Sequence, residues 1–361
     1  MKSLRKFPDP FIAEIAGQPD AIRRTAKAIE NQAGVLERVA WIAASGPTGR
    51  LVVFTGMGAS FAACRAAATV LAEGRVAAQL LDASELLHFR RQMLDSGTVL
   101  VMVSQSGRSA ELVRLVRSLH VQNRPFVVSV TNGTDNPLSE FADAPLDIDV
   151  GEERGPSTMT FAGTLTAAAA LAETIRGRDP GDAVERLQLE AARTAAAAEG
   201  VIDDSEAIGG DLETWLGDRS HLVVLGRGTG MAAADGGALI LKEAARVHAE
   251  AIGAGQFRHG PLELAGPTLA VSIIATEPRT LELDLRLAAD LVEADTAVSV
   301  IGQAGPSVPT QATLIEVPAS ERALGPAVSV IPLQLLAWRL SVRAGLAPGM
   351  LRIATKVTTH E

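Results

Sequence analysis

Short apolar runs recur along the first part of the chain, at 51–55, 77–81, 99–103, 126–132 and 144–150, and the segments between them carry apolar positions at helical spacing. Strands alternating with crossover helices of about ten residues or more predict a parallel sheet covered on both faces, a three-layer α/β/α sandwich. The run Val99-Leu100-Val101-Met102-Val103 is apolar without a break, as in a strand buried on both sides. Asp179-Pro180-Gly181-Asp182 then breaks the chain, and an Ala- and Glu-rich helical stretch follows from Ala183 to about Gly200. His221-Leu222-Val223-Val224-Leu225-Gly226-Arg227-Gly228-Thr229 repeats the order seen at 51–60: apolar strand, glycine turn, Ala-rich helix. Such repetition predicts two copies of one domain. The expected layout is a helical lead-in at 1–45, opening on the extended Phe7-Pro8-Asp9-Pro10, a first domain at 46–180, a helical linker at 181–205, a second domain at 206–345 and a tail at 346–361.

The strand at 99–103 empties into Ser104-Gln105-Ser106-Gly107-Arg108-Ser109, and Ala110-Glu111-Leu112-Val113 then opens a helix. Short hydroxyl donors around one glycine, ahead of free helix N–H groups, suit an anion such as a phosphate. An ordinary strand-to-helix turn capped by Ser106 fits the same spacing. No GxxxxGK[ST] pattern is present, so the loop is not a nucleotide P-loop. A second glycine turn, Gly56-Met57-Gly58-Ala59-Ser60, fails the dinucleotide fingerprint because Phe61 stands where a glycine is required. Loops at adjacent strand ends can converge on one ligand. The second copy has no comparable hydroxyl loop: its strand at 269–276 ends in Glu277-Pro278-Arg279-Thr280, which assigns the phosphate site to the first copy.

The densest polar constellation is Leu241-Lys242-Glu243-Ala244-Ala245-Arg246-Val247-His248, followed by Gln256-Phe257-Arg258-His259-Gly260-Pro261. On a continuous helix Glu243 and Val247 share one face, and Lys242 and Arg246 another. A carboxylate among apolar neighbours has a raised pKa and can pass protons near neutral pH, and a histidine titrates in the same range. A solvated helix face and a structural histidine fit these residues as well.

Composition narrows the classes. The 361 residues leave room for two cores, and a net charge of −9 weighs against nucleic acid as a partner. Apolar runs such as 167–172 are too short to span a bilayer, and no apolar segment follows the Met1-Lys2-Ser3-Leu4-Arg5-Lys6 start, so no membrane partner and a cytoplasmic location are expected. Cys64 is the only cysteine, which excludes an internal disulfide; its helix-forming surroundings make it a small core residue. The six histidines show no ligand spacing, and no metal is expected.

Several of these segments resemble one family. Val103-Ser104-Gln105-Ser106-Gly107-Arg108-Ser109 resembles the S-[QE]-S-G-x-[ST] phosphate loop of the sugar isomerase (SIS) domain family, and Ser60 resembles its G-x-S serine. Gly151-Glu152-Glu153-Arg154-Gly155-Pro156-Ser157-Thr158-Met159 is similar to the family's segment opening a helix beside the sugar, with Met159 in place of a usual lysine. The pattern LKE-x5-HAEA-x7-HGPLEL is close to that of the isomerase half of glucosamine-6-phosphate synthase and of SIS-type glucosamine-6-phosphate deaminases. Gln18-Pro19-Asp20-Ala21-Ile22, Ile331-Pro332-Leu333-Gln334-Leu335-Leu336-Ala337 and Thr355-Lys356-Val357-Thr358 extend the likeness over roughly 11–361.

The resemblance implies two tandem flavodoxin-like domains and an enzyme for aminosugar phosphates that needs no cofactor. It implies that Ser60, Ser104, Gln105, Ser106 and Ser109 hold the phosphate, and that Ser157 and Thr158 line the sugar. It gives Glu243 the proton transfer between C1 and C2, His259 the ring opening from across a homodimer interface, and Lys356 a place as imine partner. Conversion of glucosamine 6-phosphate to fructose 6-phosphate and ammonia is the expected reaction. Ile240, where the synthases carry a further lysine, and Met159 keep open an ammonia-dependent synthesis, a fructosamine-6-phosphate deglycase or a galactosamine 6-phosphate enzyme. Glutamine-dependent synthesis needs an N-terminal cysteine nucleophile, which is not expected where Cys64 is the only cysteine. A non-catalytic phosphosugar sensor would need none of Glu243, His259 and Lys356.

Overall fold

The protein is described by a computed structural model over residues 9–45, 50–119, 121–303, 305–353 and 355–358. Residues 1–6 and the Phe7 and Pro8 of the expected lead-in lie outside the described residues. Strands β1 (Leu51–Gly56), β2 (Ala78–Asp82), β3 (Thr98–Val103), β4 (Phe126–Thr131) and β5 (Ala144–Asp147) form a parallel sheet in the order β2-β1-β3-β4-β5. Strands β6 (His221–Gly226), β7 (His248–Gly253), β8 (Leu269–Ala275), β9 (Ala297–Gly302) and β10 (Thr313–Glu316) form a second parallel sheet in the order β10-β9-β8-β6-β7. Read from its other end, the second order repeats the first, with β6 in the role of β1 and β8 in that of β3. The doubled three-layer fold read from the sequence is therefore present.

The strands at the middle of each sheet are the most apolar. Every residue of β3 and of β8 is buried, because helices cover both faces and no position needs to meet water. By contrast β7, His248-Ala249-Glu250-Ala251-Ile252-Gly253, is an edge strand with exposed His248 and Glu250, and its weak pattern gives no strand signal in the sequence. The chain divides into two compact units: residues 20–152, 159–192 and 353–361 contain the first sheet, and residues 1–19, 153–158 and 193–352 contain the second.

In the unit of the first sheet, the helices Gly58–Glu73 and Met159–Ile175 pack together, and their run of small residues lets the backbones approach. Cys64 is buried in the first of these, and burial pushes its thiol far above the ordinary range, so it serves as core. In the other unit the helix Pro10–Ala16 is capped by Asp9, whose Oδ1 accepts from the Phe11 N–H at 2.8 Å and whose Oδ2 accepts from the Trp338 indole at 2.7 Å. Gln18 and Gln334, both from segments carrying the family likeness, form a reciprocal buried amide pair at 2.7 and 3.3 Å. Their part is structural, since each satisfies the polar group the other buries.

Candidate functional site

Each sheet ends in loops at the carboxyl edge of its strands, where ligands of open α/β sheets bind. At the end of β3, Gly107 has φ +62, and its neighbours fold over it: the Gly107 N–H donates to Ser104 Oγ at 3.1 Å, and Ser104 Oγ meets Ser109 Oγ at 3.0 Å. The Arg108 N–H donates to Ser106 Oγ at 3.2 Å, and the Arg108 guanidinium donates to the Asp135 carbonyl at 2.8 Å. The structure thus gathers Ser104, Ser106 and Ser109 around one glycine, ahead of the helix Ala110–Arg117. The cap position of that helix is Ser109, not Ser106, and the Ser109 side chain makes no capping bond. Its hydroxyl is turned to Ser104, so the first-turn N–H groups are not consumed by a side-chain cap. Gln105 is half-buried in the same loop, and its carbonyl accepts from the Asn132 N–H at 3.0 Å.

Ser60 lies in the first turn of the helix Gly58–Glu73, which follows β1, the strand beside β3. The tail also reaches this side: the Thr358 carbonyl accepts from the Ala110 N–H at 3.2 Å, which fixes the segment holding Lys356 at the start of the helix that follows the loop. Lys356 is half-buried.

In the unit of the second sheet, the helix Gly230–Ile240 does not continue through Lys242 and Glu243 as a regular α-helix. It widens into a π-turn at Leu241–Ala245, and Arg246, at φ +58, ends it. The Ser341 hydroxyl donates to the Ala244 carbonyl at 2.7 Å and holds the turn. Glu243 is consequently half-buried on a π-turn, a local geometry frequent at functional sites, and shares no helical face with Val247, contrary to the expectation of a continuous helix. His259 is exposed on the turn after the helix Ala254–Phe257, anchored there by the fully buried Phe257. Ile240 is buried apolar core, so no proton carrier stands at that position. Ser157 is half-buried, whereas Thr158 is fully buried: its N–H and hydroxyl both donate to Glu153 Oε1, at 2.8 and 3.2 Å.

A second crevice lies at the end of β8, a cavity of about 240 Å³ bounded by Thr229, Thr276, Glu277, Gln303 and Arg322 among others. Burial would raise the Glu277 carboxyl, but its bonds to Arg322 and Thr229 outweigh burial and hold it below the usual carboxylate range. A depressed folded pKa contributes stability above the unfolded value, about 4.3 for Glu, and that stability is lost as pH falls through the folded value. Glu277→Gln is therefore expected to be less stable than the wild type at pH 7, with the gap closing below about pH 4. Urea unfolding of both chains at pH 7 and in acid checks this. Nearby, burial pushes the Asp284 carboxyl up despite the Arg227 guanidinium donating to it at 2.7 Å.

Among the described residues no group of three or more His, Cys, Asp or Glu is placed to hold a metal ion, and no helix is long and apolar enough to cross a membrane. Sequence reasoning missed Asn136 and Glu153, which bond to partners within five residues in turns, and Arg322, whose partner Glu277 is 45 residues away.

Comparison with known proteins bears on these sites. The model of the SIS domain matches twice, at residues 50–174 and 216–344. The glutamine–fructose-6-phosphate aminotransferase (isomerizing) of Pyrobaculum aerophilum is 28% identical over 358 residues, covering 98% of this chain and 58% of that protein. The chain thus spans little more than half the length of such curated relatives. The C-terminal domain of glucosamine-fructose-6-phosphate aminotransferase from Francisella tularensis superposes with a TM-score of 0.83 at 22% identity, over 94% of this chain and 97% of that one. Glucosamine-6-phosphate deaminase from Thermotoga maritima superposes with a TM-score of 0.75 at 19% identity, over 97% and 99%. These likenesses at low identity speak for the fold, and with two SIS matches spread over both sheets, the chain belongs to the SIS domain family.

Proposed function

We propose that the chain is a phosphosugar-processing enzyme of the aldose–ketose type, acting on a hexose 6-phosphate that carries nitrogen at C2. The observation that carries the reading is the loop after β3, where three hydroxyls surround Gly107 ahead of a helix start with no side-chain cap, whose first N–H donates to the Thr358 carbonyl of the Lys356 segment. Hydroxyls and helix N–H groups hold a phosphate dianion, and a tail lysine is at hand for the carbonyl end of its sugar. The names of the relatives support the same substrate class.

In this reading Ser60, Ser104, Gln105, Ser106 and Ser109 hold the phosphate and Ser157 flanks the sugar, whereas Thr158, buried with its N–H and hydroxyl both on Glu153, is withdrawn from a direct contact and shapes the turn instead. His259, supplied by a second copy of the chain, assists ring opening to the aldehyde. Glu243 takes the proton from C2 and returns it to C1, which converts the 2-amino aldose into a 2-imino ketose. Water, or first the Lys356 amine, adds at C2; ammonia leaves, and hydrolysis gives fructose 6-phosphate. Glucosamine 6-phosphate and water are thereby converted to fructose 6-phosphate and ammonia. The buried Ile240, where the synthases place a lysine, favours one second reading, a deglycase releasing a larger amine from a phosphorylated fructosamine.

The phosphate requirement is directly testable. Glucosamine 6-phosphate is expected to bind in calorimetry and glucosamine not, with the phosphorylated sugar weakened about tenfold or more by a Ser106→Ala, Ser109→Ala double substitution. Equal binding of both sugars, or no effect of the double substitution, would contradict it.

A further inference from the structure

The loop after β8 stands where the hydroxyl loop stands in the other sheet. In the first sheet Gly56 of β1 pairs with Val103, and Ser106 follows three residues later; in the second, Gly226 of β6 pairs with Ile274, and Glu277 follows three residues later. Glu277 thus holds the register position of Ser106. Its side chain folds back over Gly228, at φ +51, where a Cβ would come within 2.7 Å of Oε1. Oε1 accepts from the Thr229 N–H at 2.9 Å and from the Thr229 hydroxyl at 2.6 Å. Oε2 accepts from Arg322 Nε and Nη2, at 3.0 and 2.7 Å. The carboxylate is 4% exposed, and the helix Gly230–Ile240 begins beside it.

A backbone N–H at a helix start, a hydroxyl and a bidentate guanidinium form a complete oxyanion cradle, and here every arm of it is engaged by one internal carboxylate. We propose that Glu277 is a resident anion that occupies the second phosphate seat of the doubled fold and so sets phosphosugar specificity at one phosphate per chain. A phosphorylated ligand entering this crevice would meet a seat already filled and a like charge already buried, which disfavours it on both counts. Among the described residues no carboxylate accepts from Ser104, Ser106 or Ser109 in the hydroxyl loop after β3, which is left to the ligand. The comparison between the loops rests on the function proposed above, but the occupation of this cradle does not.

The experiment titrates the full chain with inorganic phosphate, against chloride at equal ionic strength, in the wild type, Glu277→Ala and the double variant Glu277→Ala, Arg322→Ala. Glu277→Ala is expected to gain one phosphate per chain over the wild type, and to gain about 2–4 °C more in thermal midpoint when phosphate stands at several times its dissociation constant. The double variant is expected to lose the added site. An unchanged stoichiometry in Glu277→Ala, or a gain that survives loss of Arg322, overturns the proposal. If Glu277→Ala is recovered folded only when refolded in phosphate, the proposal stands; failure to refold in either salt counts against it. A wild type that binds no phosphate, with Glu277→Ala binding one, would refute the hydroxyl loop as a phosphate site while leaving this inference intact.

Discussion

Glu243→Gln is expected to lower turnover of the aminosugar phosphate by about 10²–10⁴-fold while leaving its dissociation constant nearly unchanged, because the amide fills the same space and cannot take a proton. The residue is half-buried on the π-turn at Leu241–Ala245, which Ser341 and the left-handed Arg246 hold open. Substrate binding measured by calorimetry, beside turnover, separates the role from a structural one: a merely structural glutamate would show losses in both. A chain that bound the sugar phosphate equally well with either residue and turned over neither would be a sensor.

Gly107→Ala is expected to cost about 2–4 kcal/mol of stability and to abolish phosphosugar binding. A left-handed backbone at φ +62 disfavours any side chain, and here the added methyl would also lie 1.9 Å from Asn136 Oδ1. Asn136 cannot give way cheaply. It is buried, its Oδ1 accepts from the Ser139 N–H at 2.9 Å to cap the helix Pro137–Phe141, and its amide donates to the Gly133 carbonyl at 2.8 Å. The Leu138 N–H also donates to the Gly107 carbonyl at 3.3 Å, so displacement of the loop disturbs the next one. Urea unfolding gives the cost; stability within 0.5 kcal/mol of the wild type would contradict this account of the loop.

Much of the fold was legible because its strongest signals are local. An unbroken apolar run such as 99–103 has no alternative in a parallel sheet, and the repeated strand–glycine–helix order at 51–60 and 221–230 announces the duplication before any pairing is known. Edge strand β7 was not legible, since only one of its six residues is buried and His248 and Glu250 face water. The helix stop after Glu243 was also hidden. Leu241-Lys242-Glu243-Ala244-Ala245-Arg246 is good helix by propensity, yet it widens into a π-turn that ends at the left-handed Arg246 and whose Ala244 carbonyl accepts from Ser341, almost a hundred residues on. The hydroxyl loop was read in composition but not in wiring. Ser109 takes the cap position yet bonds to Ser104, and Glu153 claims both donors of Thr158. The second crevice shows the same limit: the sequence reveals that Glu277 replaces a hydroxyl loop, and only the folded chain reveals that its carboxylate fills the cradle.

The most direct measurement is release of ammonia and fructose 6-phosphate from glucosamine 6-phosphate by the purified chain, with galactosamine 6-phosphate and a phosphorylated fructosyl-lysine assayed in parallel. Stoichiometric release of both products from glucosamine 6-phosphate, absent in Glu243→Gln, is the expected result. Turnover of another of the three alone would keep the proton-transfer chemistry and move the substrate, whereas silence on all three, with binding intact, would contradict the catalytic reading.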